Sequence, residues 1–536
     1  MGIPLLRNLL RKRQLKRSNT LGGYTLEIVD NKALRLRLRN PARITNIIPK
    51  SKQLGDHDVV VYWGLDEVAV LNNLGIDAPS PIEGQYKWPG MFPPFAHQRN
   101  TAAFLTKNTR AFCFSEQGTG KTASAIWASD YLMLKGLIRR VLVICPLSIM
   151  DSAWRDDLFS CAMHRTVDVA YGARKKREAI VNSGAEYVII NYDGVEIVAD
   201  AIMKGGFDLI IVDEATHYKN AQTNRWKILN AIMTPQTWLW MMTGTPAAQS
   251  PADAYGLAKL VNPSAVPRFF GAFKDKVMYK ATAFRWVSKP DAADTVHKAL
   301  QPAIRYTKDE CLDLPEMVYV TREVVMTAQQ NKYYKELKNQ MRTAAAGEVV
   351  TAPNAAIVMN KLLQIAGGAV YTDDGGVLEF DIKNRYKVLR EVIDEAAKKV
   401  IVFVPFKHAI DLLTAQLRKD GIPTEIIRGD VALAKRTERF KSFQIEADPR
   451  VLVIQPQSAA HGVTLTAADT IVWWGPVSSL ETYLQANARI HRAGQTHKCT
   501  VVQLQGSPVE RHIYSMLDNR IDIHTKMIDL YNELLD

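Results

Sequence analysis

One stretch constrains the fold of this chain more than any other: Ser115-Glu116-Gln117-Gly118-Thr119-Gly120-Lys121-Thr122. It follows the apolar run Ala111-Phe112-Cys113-Phe114 and leads into the helix-forming Ala123-Ser124-Ala125-Ile126-Trp127-Ala128, giving the order strand, Gly-rich turn, helix. Glycines let backbone N–H groups turn inward around phosphate oxygens, a lysine reaches the terminal phosphates, and the next hydroxyl ligates Mg²⁺ at the helix N-terminus. The general pattern opens on a glycine where this chain has Ser115. A Gly-rich turn with an exposed lysine is the alternative, and the order of elements favours a nucleotide site made by Gly118, Thr119, Gly120, Lys121 and Thr122.

A chain of 536 residues has room for two or three cores at roughly 100–200 residues per domain. Its 68 Lys plus Arg outweigh 55 Asp plus Glu, and the net charge of +13 suggests a polyanionic partner, nucleic acid first. The five cysteines are widely spaced with no Cys-x-x-Cys pair, so neither a zinc site nor a disulfide framework is indicated and a reducing cytosol fits. No apolar run approaches the roughly 18 residues of a spanning helix, which argues against a membrane protein. Residues 1–20 carry Arg7, Arg11, Lys12, Arg13, Lys16 and Arg17 without an acid, the composition of a transit peptide, a membrane-surface helix, a nucleic-acid arm or a solvated tail. Leu6 stands where a myristoylation signal has Ser or Thr.

From Tyr24 to Ile48 leucines at 34, 36 and 38 alternate with Arg35, Arg37 and Arg39, as in a half-buried strand whose arginines face either phosphate or solvent. Asp58 to Asn73 predicts a strand and a short helix, and the Pro- and Gly-rich passage from Pro79 to Pro94 a linker, so residues 1–90 form a small basic α+β module. Beyond it apolar strand runs alternate with helical segments, the pattern of an α/β fold with a parallel sheet; Val141–Cys145, Tyr187–Asn191, Leu209–Val212 and Leu239–Met242 are the clearest strands. Asp213-Glu214 ends one of them, where an acid can hold a Mg²⁺ shell and its neighbour can activate water. A second α/β stretch after about residue 320 has strands near 400–404, 451–454 and 470–474 but no phosphate loop. It offers Arg489 and Arg492, three apart on a helix expected from Leu480 to His491 and suited to reaching across a cleft toward transferring phosphate.

From about Phe95 to the C-terminus the ordered series resembles the Swi/Snf-type branch of superfamily-two helicase-like ATPases. Phe95-Ala96-His97-Gln98 is similar to its adenine-reading glutamine motif, and the phosphate loop to a family version that also lacks glycine at the Ser115 position. Cys145-Pro146-Leu147-Ser148 with Trp154, and Ile190-Asn191-Tyr192-Asp193, resemble two motifs on the nucleic-acid side. Asp213-Glu214-Ala215-Thr216 has Thr216 where that motif has His, and Thr243-Gly244-Thr245-Pro246 resembles the coupling motif. His461-Gly462-Val463-Thr464 is similar to the segment that meets both nucleic acid and nucleotide, and Gln485 to Gln495 carries the most specific match.

The resemblance implies two RecA-like lobes with parallel sheets: residues 91–310 as the first, with a helical insertion about 250–310, and 311–536 as the second, with C-terminal helices. It implies ATP and Mg²⁺, with Lys121, Asp213, Glu214, Arg489 and Arg492 catalytic, Gln98 and Gly462 at the nucleotide, and Thr122 and Asp213 at the metal. Pro146, Ser148, Asn191, Tyr192, Thr245 and Thr464 are the implied nucleic-acid contacts. The expected activity is ATP-driven movement on double-stranded or branched DNA, without membrane, in the cytoplasm of a bacterium or phage-infected host. A strand-separating DNA or RNA helicase and a nucleic-acid-binding scaffold with a silent ATPase are the rival readings.

Overall fold

The structure, a computed structural model, describes residues 16–19, 24–244, 250–281, 286–311, 314–345, 352–372, 376–458 and 463–519. The N-terminal strands β1 (Lys16–Asn19), β2 (Tyr24–Val29), β3 (Ala33–Arg37), β4 (Ser51–Gln53) and β5 (Asp58–Tyr62) form one antiparallel sheet in the order β1-β2-β3-β5-β4. The single strand expected from Tyr24 onward is thus a hairpin. Asp30 and Asn31 both take positive φ, 47° and 53°, the backbone of a tight hairpin turn that Asn and Asp tolerate best. Leu34 and Leu36 are buried, Arg35 pairs with Asp58 at 2.8 Å, and Arg37 and Arg39 are exposed.

The passage from Pro79 to Pro94, expected as a linker, is packed. Trp63 Nε1 donates to Pro79 O at 2.8 Å, Ser80 and Thr106 share a hydrogen bond of 2.7 Å, and Trp127 Nε1 donates to Pro89 O at 2.8 Å. Ile82 and Tyr86 are buried in the same apolar cluster as the helix Lys121–Leu134. Tyr86 OH donates to Asp130 at 2.5 Å.

Lobe one is a seven-stranded parallel sheet. Its strands are β6 (Arg110–Cys113), β7 (Val141–Cys145), β8 (Val167–Ala170), β9 (Tyr187–Asn191), β10 (Leu209–Asp213) and β11 (Trp238–Met242), followed, after the hairpin β12 (Met278–Lys280) and β13 (Trp286–Ser288), by β14 (Ala303–Ile304). The order is β14-β6-β11-β10-β7-β9-β8. Every residue of β7, β9 and β10 is buried, as a parallel sheet covered on both faces requires, which is why these strands read as unbroken apolar runs. Lobe two is a six-stranded parallel sheet of β15 (Met317–Glu323), β18 (Lys399–Phe403), β19 (Thr424–Ile427), β20 (Val451–Ile454), β21 (Ala468–Trp473) and β22 (Cys499–Gln505) in the order β15-β22-β21-β18-β20-β19; the hairpin β16 (Ala369–Tyr371) and β17 (Val377–Glu379) stands apart. Two α/β lobes with parallel sheets are therefore present. The segment 305–316 connects them.

Candidate nucleotide site

The motif residues of lobe one gather because each lies at the C-terminal edge of the sheet: the loop after β6, Pro146 after β7, Asn191 at the end of β9, Asp213 at the end of β10 and Gly244 after β11. That edge is where ligands bind in parallel α/β sheets. Gly118 and Gly120 have φ of 86° and 78°, a conformation costly for any residue with a Cβ. A Cβ on Gly120 would also collide with the amide of Gln98. Lys121 Nζ donates to the loop carbonyls of Ser115 and Glu116 at 2.8 and 3.3 Å, and His97 Nε2 bonds to Thr119 O at 2.7 Å. Gln98 is buried, and its Oε1 accepts from Phe95 N at 2.9 Å, while the Phe95 and His97 rings stack.

Asp213 is buried and held on three sides. Its Oδ2 accepts from Trp154 Nε1 at 3.0 Å, its Oδ1 from Glu214 N at 3.0 Å, and its carbonyl from Tyr192 OH at 2.6 Å. Burial raises its carboxyl above the usual range, opposed by Lys121 and the Trp154 bond. Glu214 follows in the left-handed region, φ 49°, which turns its side chain toward Gln117 Nε2 at 3.3 Å and leaves Oε2 buried without a hydrogen-bond partner among the described residues. Burial first, and Asp213 second, raise the Glu214 carboxyl.

The facing wall comes from lobe two. A cleft of about 690 Å³ is lined by Gly118, Gly120, Lys121, Thr122, Asp213 and Glu214 on one side and by Thr464, Arg489 and Arg492 on the other. Ser148 also lines it. A Cβ placed on Gly118 would lie 3.0 Å from Arg492 Cγ. Arg492 donates to Ala488 O at 3.0 Å and to Thr464 Oγ1 at 3.2 Å, and burial lowers its guanidinium to about 10. Arg489 is almost fully buried, which, together with Arg492, lowers its pKa well below the usual guanidinium value. The helix beneath them is shorter than expected: it spans Leu480–Asn487 and stops before either arginine. Asn487 is engaged by Trp473 Nε1 at 2.8 Å and Arg489 O accepts from Leu465 N at 3.0 Å, so the chain turns to follow lobe two's loop rather than the helix.

Of the residues assigned to nucleic acid, Asn191 accepts from Arg177 at 2.9 Å, and it, Tyr192 and Pro146 are buried, whereas Ser148 and Thr464 line the cleft. Thr245, His461 and Gly462 lie outside the described residues. Sequence reasoning missed Asp156, Asp157, Arg436 and Lys441 on the cleft wall, which belong to no motif and arrive there only through the fold. Thr216, in place of the motif's His, contacts lobe two directly, donating to Glu481 Oε1 at 3.4 Å.

A family profile described as SNF2-related domain matches residues 97–368, about half of the chain, and one described as helicase conserved C-terminal domain matches residues 384–494. The chain is 24% identical over 444 residues to "Chromodomain-helicase-DNA-binding protein 1-like" of Danio rerio, covering 77% of this chain and 41% of that protein. It is 25% identical over 403 residues to "Uncharacterized ATP-dependent helicase MG018" of Mycoplasma genitalium, 73% of this chain and 37% of that one. Over 439 residues it is 24% identical to "Putative protein p41" of Acyrthosiphon pisum secondary endosymbiont phage 1, covering 74% of this chain and 88% of the phage protein. The chain thus spans less than half the length of the first two. The solved Sulfolobus solfataricus SWI2/SNF2 ATPase core, in complex with dsDNA, aligns at a TM-score of 0.40 and 19% identity over 82% of this chain and 94% of that one.

Proposed function

We infer the function of this chain from the fact that it belongs to the SNF2-related family: it is a DNA-stimulated ATPase that moves along duplex or branched DNA, gripping phosphates rather than reading bases. The observation that carries this reading is one cleft lined by Lys121 of one sheet and by Arg489 and Arg492 of another. The backbone of Gly118, Thr119 and Gly120 with Lys121 cradles the phosphates, Gln98 reads the adenine, and Gly462 completes the nucleotide side. Glu214 orients and deprotonates the attacking water, and Arg489 and Arg492 meet the charge that develops on the transferred phosphate. Relatives whose names carry "DNA-binding" and "chromatin" support DNA as the partner.

Thr122 and Asp213 are hard oxygen donors beside a Glu214 oxygen that has no hydrogen-bond partner among the described residues, a set that suits Mg²⁺, which takes few protein ligands alongside substrate phosphates and water. Bound there, the ion supplies neutralisation of phosphate charge. We assign residues 1–90 to an accessory module, 91–310 to lobe one and 311–536 to lobe two. Ser148, Thr245 and Thr464 are assigned to the DNA path, with Pro146, Asn191 and Tyr192 supporting its edge.

Phosphate release measured with duplex, forked and single-stranded DNA and with RNA tests the reading. Duplex or forked DNA is expected to raise the rate most, the stimulation weakening as salt rises because neutralised phosphates release counterions. Lys121→Ala should abolish turnover. Stimulation by single strands alone or by RNA identifies a strand-separating helicase, and absence of turnover on every polymer identifies a silent scaffold.

A further inference from the structure

One surface of lobe one, apart from the nucleotide cleft, sets exposed aromatic rings among cations. It is carried by the helix Phe270–Val277 and by the hairpin of β12 and β13. Phe273 and Val277, four apart and so on one face of the helix, are buried in the core of the lobe, and Met278 packs against the same core, which fixes helix and hairpin in place. Tyr255 OH donates to Arg268 O at 2.7 Å, and its ring meets that of Phe270 edge-on at 5.5 Å, holding the entry to the helix. On this support Phe269 and Phe270 remain 69% and 40% exposed. None of these residues lines the cleft.

Cations alternate with the rings. The Arg268 guanidinium lies 5.4 Å from the centre of the Phe269 ring. Phe270 and Lys274 are one turn apart on the helix, Lys274 Nζ stands 3.8 Å from the centre of the Trp286 ring, and Trp286 faces Lys280 across the hairpin. Phe270, Lys274, Trp286 and Lys280 therefore succeed one another along a stripe, ring and charge in turn. Arg268, Lys274, Lys276 and Lys280 have no carboxylate within ion-pair distance among the described residues. The acids of the two packed helices, Asp275, Asp291 and Asp294, are fewer than the five cations Arg268, Lys274, Lys276, Lys280 and Lys289. A single strand of nucleic acid satisfies both halves of such a stripe, its bases stacking on the rings while its phosphates meet the cations. A duplex offers the phosphates alone, because its bases are already stacked on one another. We propose that this stripe binds single-stranded DNA, giving the unpaired arm of a branched DNA a place of its own on lobe one. The choice of DNA over RNA rests on the reading of the chain as one that acts on DNA.

Binding of a labelled oligothymidine and of a blunt duplex to the full chain, followed by fluorescence anisotropy, tests this. Phe269→Ala, at a position too exposed to carry the fold, is expected to weaken oligothymidine about tenfold and the duplex less than twofold, with Phe269→Tyr close to wild type. Lys274→Gln combined with Lys280→Gln should flatten the salt dependence of single-strand binding, the slope of log affinity against log salt falling by about 1.4 for two phosphates. Equal losses for single strand and duplex, or no loss for either, overturn the proposal. So does polyglutamate that displaces oligothymidine equally from the wild type and from Phe269→Ala, the behaviour of a purely ionic surface. Tighter binding of oligouridine than of oligothymidine overturns the assignment to DNA, and a wild type that binds neither DNA overturns the wider reading of the chain.

Discussion

A single indole holds the acid assigned to the metal. Trp154 is fully buried in a π-helical turn, Met150–Arg155, and its Nε1–H is one of two donors to the buried Asp213 carboxylate. Trp154→Phe keeps an aromatic ring but leaves a void and a buried carboxylate oxygen unpaired, the lost bond alone costing about 1–3 kcal/mol. Urea unfolding should register that loss, and half-maximal turnover should need more Mg²⁺; a variant unchanged in both contradicts the assignment. That Lys121, Thr122, Asp213, Glu214, Arg489 and Arg492 line one cleft was legible because each stands in a contiguous motif. The bonds of Ser115 and Glu116 to the segment after β14 were not, since Glu116 meets Lys308 N across 192 positions of sequence and only the pairing of β14 with β6 brings them together.

Elements were legible where burial is two-sided and misread where a turn or a side-chain bond intervenes. The unbroken runs of β7, β9 and β10 gave themselves away, whereas the alternation after Tyr24 hid a hairpin, because Asp30 and Asn31 interrupt it without a glycine. Nor did any pattern announce how the helix Pro508–Asp518 is bolted to the helix Lys383–Glu395. Glu510 is fully buried and accepts twice from Arg385, at 2.7 and 2.9 Å, and also from Gly506 N and Ser507 Oγ. Removing one partner of such a pair strands a buried charge, at about 3–5 kcal/mol. Glu510→Ala is therefore expected to lower the thermal midpoint of lobe two by many degrees, measured by calorimetry; a shift of less than a degree would show the pair to be dispensable.

At the scale of the molecule the site is divided between two sheets, so its chemistry depends on how closely they approach. Arg492→Ala should cut DNA-stimulated turnover by about 10³–10⁵, the range of an arginine finger, while nucleotide affinity changes far less. With fluorophores on the two lobes, a non-hydrolysable ATP analogue should raise energy transfer in the wild type and less in the variant; equal rises would place Arg492 outside the closing step. The packed passage between the N-terminal sheet and lobe one then acquires a mechanical meaning. Trp63 joins the end of β5 to that passage, and Ser80, Tyr86 and Pro89 join the passage to lobe one, so the sheet is anchored to lobe one rather than hung on a loose linker. Should the lobes close on nucleotide as proposed, anything tethered to the sheet would travel with lobe one toward lobe two, as a load on a crank rather than on a slack rope.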